Sequence, residues 1–190
     1  HPGIDRIAFT GGTETAKKII KNSANNFAAT NLELGGKSPL VIFDDADIES
    51  AANGIIAGNF GASGQSCVAG SRVIVQKNIA PKLIDLINQK AQNIIIGNPL
   101  DPKTNLGPLC TSKQIDIIKT TINKSVSQGG KIIFGGKEIE SEGNYFEPTL
   151  IYCPNRNIET LKVEMFGPVI SLIEFNNEDE AIELANDSEY

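Results

Sequence analysis

The stretch "NFGASGQSCVAGSR", Asn59 to Arg72, sets one cysteine among residues that leave the backbone almost bare. Gly61, Ala62, Ser63, Gly64 and Ser66 precede Cys67, and Ala69, Gly70 and Ser71 follow it. The thiolate is the reactive form of cysteine, and nearby backbone N–H groups or a cation favour it. Small neighbours would admit a substrate to the sulfur, and the Cys67 amide could face an oxyanion formed there. The alternative is a small apolar side chain packed in a turn, and the stretch alone supports both readings equally. Arg72 is either the cation or the partner of an acid elsewhere.

Two carboxylates offer further chemistry. Glu33, in "LELGG", lies between two leucines and ahead of a glycine pair. Apolar surroundings are what a general base working near neutrality needs, although the spacing more simply gives a strand-end glutamate facing solvent. Glu164, in "EMFGP", is followed by the ring of Phe166 and a Gly-Pro turn. A carboxylate and a ring suit a sugar hydroxyl and a flat heterocycle, and they equally suit a loop anchor. Cys110 in "GPLCTS" and Cys153 in "LIYCPN" sit at the edges of apolar segments and read as small packed hydrophobes.

These residues need elements to position them. "DRIAFT", "GGTETAKKIIKNSAN" and "TNLEL" read as strand, glycine turn, helix and a further apolar segment. The Gly11-Gly12 turn would aim helix N–H groups at an anion, but many strand-to-helix turns carry glycine and "TGGTETA" is not a G-x-G-x-x-G fingerprint. "PLVIF" is a strand, and Asp44, Asp45 and Asp47 serve the turn and the cap of a helix starting near Asp47. "RVIVQ" is a strand and "APKLIDLINQKAQNI" a helix burying Leu83, Ile84, Leu86 and Ile87. A Pro/Gly loop, the helix "SKQIDIIKTTINKSVSQ", the strands "KIIFGG", "NYFEPTLIYC" and "PVISLIEF", and a terminal helix complete the pattern. Alternating strands and helices give an α/β class with a largely parallel sheet flanked by helices.

Composition removes several function classes. With 190 residues, 40% hydrophobic and 21% charged, the chain is long enough to bury a sizeable core. A net charge of −6 offers no basic footprint for nucleic acid or an anionic membrane surface. No apolar run reaches the roughly 20 residues that span a bilayer, and "HPGIDRIAF" lacks the pattern of a signal peptide. Three widely spaced cysteines argue against a disulfide framework and for a reducing, cytoplasmic setting. His1 is the single histidine, so neither a His-based metal site nor an internal Cys-His pair is expected. The chain opens without methionine straight into a strand-like stretch and ends in a helix-like one, so it reads as a segment of a longer protein.

Taken together, "IAFTGGTETAKKI", "LELGGKSPLVIFDDAD", "GQSCVAGSR", "GNPLDPKTNLGPL" and "EMFGPVISLIEF" resemble the aldehyde dehydrogenase superfamily in order and in spacing. The resemblance implies a fold of the family's catalytic-domain type. Residues 1–34 would be the tail of a Rossmann-like dinucleotide-binding domain, and residues 35–190 the catalytic domain, incomplete at its C-terminus. It implies oxidation of a small aldehyde to a carboxylic acid with NAD or NADP. Cys67 would be the nucleophile that passes through a thiohemiacetal and a thioester, and Glu33 the base that activates water. Gly11, Gly12, Leu34, Glu164 and Phe166 would meet the cofactor. The turn departs from the family's commonest pattern, which has serine after the first glycine and glycine where Ala16 stands; this bears on one phosphate contact and not on the strand-turn-helix itself. The family's oxyanion asparagine belongs upstream of "AFTGG", so the isolated segment is expected to be inactive. The full-length protein would be a homo-oligomer, dimer or tetramer. The competing classes are a thiol hydrolase or acyl transferase built on Cys67, and a non-catalytic scaffold that kept the fold.

Overall fold

The computed structural model describes all residues from His1 to Tyr190, and the chain forms two compact units. The first comprises residues 1–36 with Tyr190, and the second residues 37–189.

The first unit is a strand-helix-strand. β1 (Arg6–Gly11) leads through Gly12 into α1 (Thr13–Ser23), and β2 (Ala29–Leu34) returns parallel to β1. The register pairs Thr10 with Glu33 and Gly11 with Leu34, so the glycine turn and "EL" share the carboxyl end of the strand pair. Phe27 makes the turn into β2 with a left-handed φ of 57°. The unit buries little: within α1 only Ala16 and Ser23 are covered.

The second unit carries a five-stranded sheet. Its strands are β3 (Pro39–Ile42), β4 (Arg72–Gln76), β5 (Lys131–Phe134), β8 (Thr149–Tyr152) and β9 (Val169–Phe175), in the spatial order β3-β4-β9-β8-β5. All neighbours are parallel except β5, which runs antiparallel to β8 at the edge. A small hairpin, β6 (Glu138–Ile139) with β7 (Tyr145–Phe146), stands apart from it. The α/β class with a largely parallel sheet is therefore as expected.

Successive side chains of a strand point to opposite faces, and a strand covered on both reads as a continuous apolar run. In β4, Val73 and Val75 join one core with Ile55 of α2 (Ile48–Phe60) and Leu83 and Ile87 of α3 (Ala80–Ala91). Ile74 between them joins the other core, with Ile115, Ile118 and Ile122 of α4 (Ser112–Ser127), Leu161 of α5 (Glu159–Lys162) and Leu184 of α6 (Glu178–Asn186). β9 alternates likewise, Ile170 and Leu172 to the first core and Val169 and Ile173 to the second.

Helix ends follow the local chemistry. Asp47 caps α2 by accepting from the Ser50 amide at 2.7 Å, and Asn177 caps α6 by accepting from that of Glu180 at 3.0 Å. Asp44 accepts from Asn78, a turn role like the one expected of it. α4 stops at Gly129, whose φ of +100° favours glycine. "NYFEPTLIYC", expected as one strand, is two: Glu147 and Pro148 separate β7 from β8. Proline has no N–H to donate to a ladder, which explains the break.

Candidate active site

Each unit gathers part of the expected chemistry. At the carboxyl end of the β1–β2 pair, Gly11 and Gly12 lie beside Glu33 and Leu34. No side chain caps α1 at Gly12, and a Cβ added there would meet nothing within 4 Å. An uncapped helix start with a bare backbone fits an anionic group such as a pyrophosphate. Glu14 in the first turn bonds Lys17 at 2.8 Å, which places its charge against a cation. Glu33 is exposed, so this chain by itself does not supply the apolar surroundings that "LEL" suggested. The strand alternation that half-buries Leu32 and Leu34 turns Glu33 outward.

The cysteine loop is built by three consecutive left-handed residues after α2. Ala62, Ser63 and Gly64 have φ of 48°, 56° and 70°, a conformation that costs roughly 1 kcal/mol or more for each residue bearing a Cβ. The environment holds it there. Ser63 donates to the Gly107 carbonyl at 3.0 Å, and Gln65 accepts the Cys110 amide at 3.1 Å. Asn59, 2% exposed, donates to the carbonyls of Ile55 and Gly70 at 2.9 and 3.1 Å. Ser66 and Ala69 then close a turn at 3.2 Å, with Cys67 and Val68 exposed at its corner.

Gly64 also brings the loop against the Glu164 segment. A Cβ on Gly64 would stand 2.3 Å from the Gly167 carbonyl carbon, so the two backbones touch. Gly167 in turn packs on Ile118 of α4, whose Cδ1 would be 2.5 Å from a Cβ there. Met165 is buried and its carbonyl accepts from Gln114, whereas Phe166, at φ 43°, turns its ring outward. Glu164 is half-buried. The second unit therefore places an exposed thiol and a carboxylate-ring pair on two loops locked at one glycine contact.

Three residues depart from simple expectation. Arg72 neither activates Cys67 nor pairs with an acid side chain. It is 3% exposed and caps the end of α6, donating to the carbonyls of Leu184, Ala185 and Asp187 at 2.7, 2.8 and 3.0 Å and to that of Lys37 at 3.0 Å. A guanidinium at a helix C-terminus satisfies the orphan carbonyls and the negative end of the dipole. Cys110, expected to be packed, is exposed, because its amide is held by Gln65 on the surface of the loop cluster. Lys37, directly after a glycine pair, is buried with Nζ 3.3 Å from Ser71 Oγ. A charged residue opening the apolar run "RVIVQ" was a legible signal for Arg72; Lys37 had none.

Cys153 is buried as expected, and burial pushes its thiol up to about 11 despite the Thr160 hydroxyl 3.6 Å away. No group of three or more His, Cys, Asp or Glu side chains is arranged to hold a metal ion, and no helix is long and apolar enough to cross a membrane.

The profile of the aldehyde dehydrogenase family matches residues 1–190. Among curated proteins, the (Z)-2-((N-methylformamido)methylene)-5-hydroxybutyrolactone dehydrogenase of Acinetobacter baylyi is 46% identical over the whole chain, which spans 39% of that protein. The peroxisomal aminoaldehyde dehydrogenase 2 of Malus domestica is 43% identical, again over the whole chain and 38% of its own length. Among solved structures, betaine aldehyde dehydrogenase from Staphylococcus aureus in complex with NAD+ superposes with a TM-score of 0.94 at 40% identity, over 99% of this chain and 38% of that one. The chain thus spans under two fifths of the length of these relatives. A match along every residue, at this identity and with this fold, places the chain in the aldehyde dehydrogenase family.

Proposed function

We propose that the full-length protein oxidises a small aldehyde to the carboxylic acid with NAD(P)+, with Cys67 as nucleophile and Glu33 as base. The observation that carries this reading is the exposed Cys67 turn, seated through Gly64 against the segment of Glu164 and Phe166 in a chain of this family. Residues 1–34 act as the tail of the cofactor domain and 35–190 as the catalytic domain. The uncapped start of α1 at Gly12 would receive the pyrophosphate, with Gly11 and Leu34 beside it, while Glu164 would hold the nicotinamide ribose hydroxyls with Phe166 packing nearby. Bound cofactor supplies the hydride acceptor.

The chain's own residues do the rest. The Cys67 thiolate adds to the aldehyde carbon, and the oxyanion faces the Cys67 amide in a loop without bulky side chains. Loss of hydride from that carbon leaves a thioester on Cys67. Glu33 takes a proton from water, hydroxide adds to the thioester, and the acid departs as the thiolate re-forms. On the same reading segment 1–190 alone turns over little or nothing, because the oxyanion asparagine that the resemblance implies belongs upstream of it.

The test is NADH formation by the full-length protein with a panel of aldehydes. Cys67→Ser is expected to lower kcat/KM by at least about 1000-fold, whereas Glu33→Gln keeps a first burst of NADH and loses steady turnover. Ester hydrolysis without NAD(P)+ and no aldehyde oxidation would instead establish the thiol hydrolase.

A further inference from the structure

The last turn of α2 buries one side-chain amide, and half of that amide has nothing to bond. Asn59 is 2% exposed and belongs to the buried set of α2 with Ala52, Ile55 and Phe60, where an apolar residue is the ordinary occupant. Its Nδ2 donates to the Ile55 carbonyl at 2.9 Å, one turn back along the helix, and to the Gly70 carbonyl at 3.1 Å, eleven residues on. Both partners are acceptors, which fixes the orientation of the amide and turns Oδ1 away from them. Oδ1 is the one buried side-chain oxygen or nitrogen of the chain without a hydrogen-bond partner in the protein. A buried acceptor of that kind costs stability. Departures from ordinary core chemistry concentrate at functional sites, and what this amide contributes in return lies in its N–H groups.

The bond to Ile55 stays within one helix. The bond to Gly70 closes a ring, because Asn59 stands on the limb that enters the cysteine loop and Gly70 on the limb that leaves it, with Cys67 between them. Past Gly70 the chain is fixed to the sheet, since the Ser71 carbonyl accepts from the Ser171 amide at 2.9 Å. We propose that Asn59 is a positioning residue for the nucleophile: by clamping the Gly70 carbonyl to the end of α2 it holds the Cys67 sulfur and amide in register with a bound aldehyde. It acts through the turn that Ala69 closes on Ser66, next to Gly70. The proposal rests on the dehydrogenase reading for what Cys67 attacks, though not for the clamp itself.

Asn59→Ser in the full-length protein isolates the bond that matters. A serine hydroxyl inside a helix bonds the carbonyl four residues back, so the Ile55 contact survives and the reach to Gly70 is lost. With an aldehyde that the wild type oxidises, the first turnover of NADH is expected to slow about 30-fold while KM changes less than about threefold. Hydrogen exchange supplies the second readout: the Ala69 amide, which donates to the Ser66 carbonyl at 3.2 Å, exchanges roughly tenfold faster in the variant, while the amides of α3 do not change. A first turnover as fast as that of the wild type, a change confined to KM, or unchanged exchange at Ala69 overturns the proposal. Should Asn59→Ser fail to fold, Asn59→Leu, which fills the site without a donor, carries the same expectations. Failure of both to fold assigns Asn59 to the core and overturns the proposal too. A wild-type protein that oxidises no aldehyde sinks the dehydrogenase reading, and exchange at Ala69 then decides on the clamp alone.

Discussion

Cys67 stands exposed at the corner of a turn made of small residues, whereas Cys153, in the same unit, is 1% exposed at the end of β8 with its sulfur between the Ile151 carbonyl and the Thr160 hydroxyl. Cysteine as a residue type decides nothing between them. The backbone does. Around Cys67 the chain spends left-handed φ values and a backbone-to-backbone glycine contact on keeping a thiol outside the core. Around Cys153 ordinary strand geometry sinks the thiol, and desolvation disfavours its thiolate. The exposure of a thiol in this fold is set by the backbone around it rather than by the residue type.

Alkylation is the most direct way to break that comparison. A thiol at about 11 holds on the order of one thiolate in ten thousand at pH 7, and burial slows attack on iodoacetamide further. Cys67 in the native protein is therefore expected to label at least about 1000-fold faster than Cys153, read by peptide mass spectrometry. In denaturant the two rates converge. Comparable rates in the native state would mean that the loop confers nothing.

The next largest effect sharpens the role of the loop. Gly64→Ala puts a Cβ where φ is +70° and where the Gly167 carbonyl carbon would be 2.3 Å away. Backbone atoms on both sides leave no flexible side chain to yield. The expected loss is roughly 3–5 kcal/mol from the sum of strain and overlap, measured by urea unfolding of the full-length protein. Gly61→Ala, at a position where a Cβ meets nothing, is the control and stays within about 1 kcal/mol. Equal losses at the two positions would show that Gly64 is not what joins the loops.

The strands and helices were legible because each strand that alternates between two cores is rich in β-branched residues, as "RVIVQ" and "PVISLIEF" are. The break at Glu147-Pro148 was legible in principle from the missing proline donor. Cys67 stood out because small residues surround it; what held it out did not. Gly64 meets Gly167 across more than a hundred residues, and Arg72 caps a helix from a similar distance. Such contacts leave no periodicity in the sequence. Lys37 was invisible for a related reason, since a lysine after "GG" ordinarily reads as a solvated side chain. Cys110 went the other way, a cysteine beside apolar residues that a single bond from its amide to Gln65 keeps at the surface.

The smallest effect tests whether the glycine-rich loop depends on the helix that delivers it. Asp47 caps α2, whose far end opens into Gly61 and the cysteine turn. The bonds from Ser50 hold the Asp47 carboxyl below its ordinary value of 3.8. A depressed carboxyl contributes stability that is fully present above the unfolded value and is lost as pH falls through the folded one. Asp47→Ala is therefore expected to lower the urea midpoint slightly at neutral pH, and the gap to wild type should close as pH drops below 3.8. A gap that persists in acid would assign the effect to helix propensity instead of the cap. Cys67 alkylation in the same variant reports the mechanical link. If α2 frays only at its capped end, the rate at Cys67 stays within about twofold of wild type, because Asn59 still grips Gly70 and Gly64 still rests on Gly167. A larger change would mean that the loop is held by the length of the helix rather than by its own glycine contact.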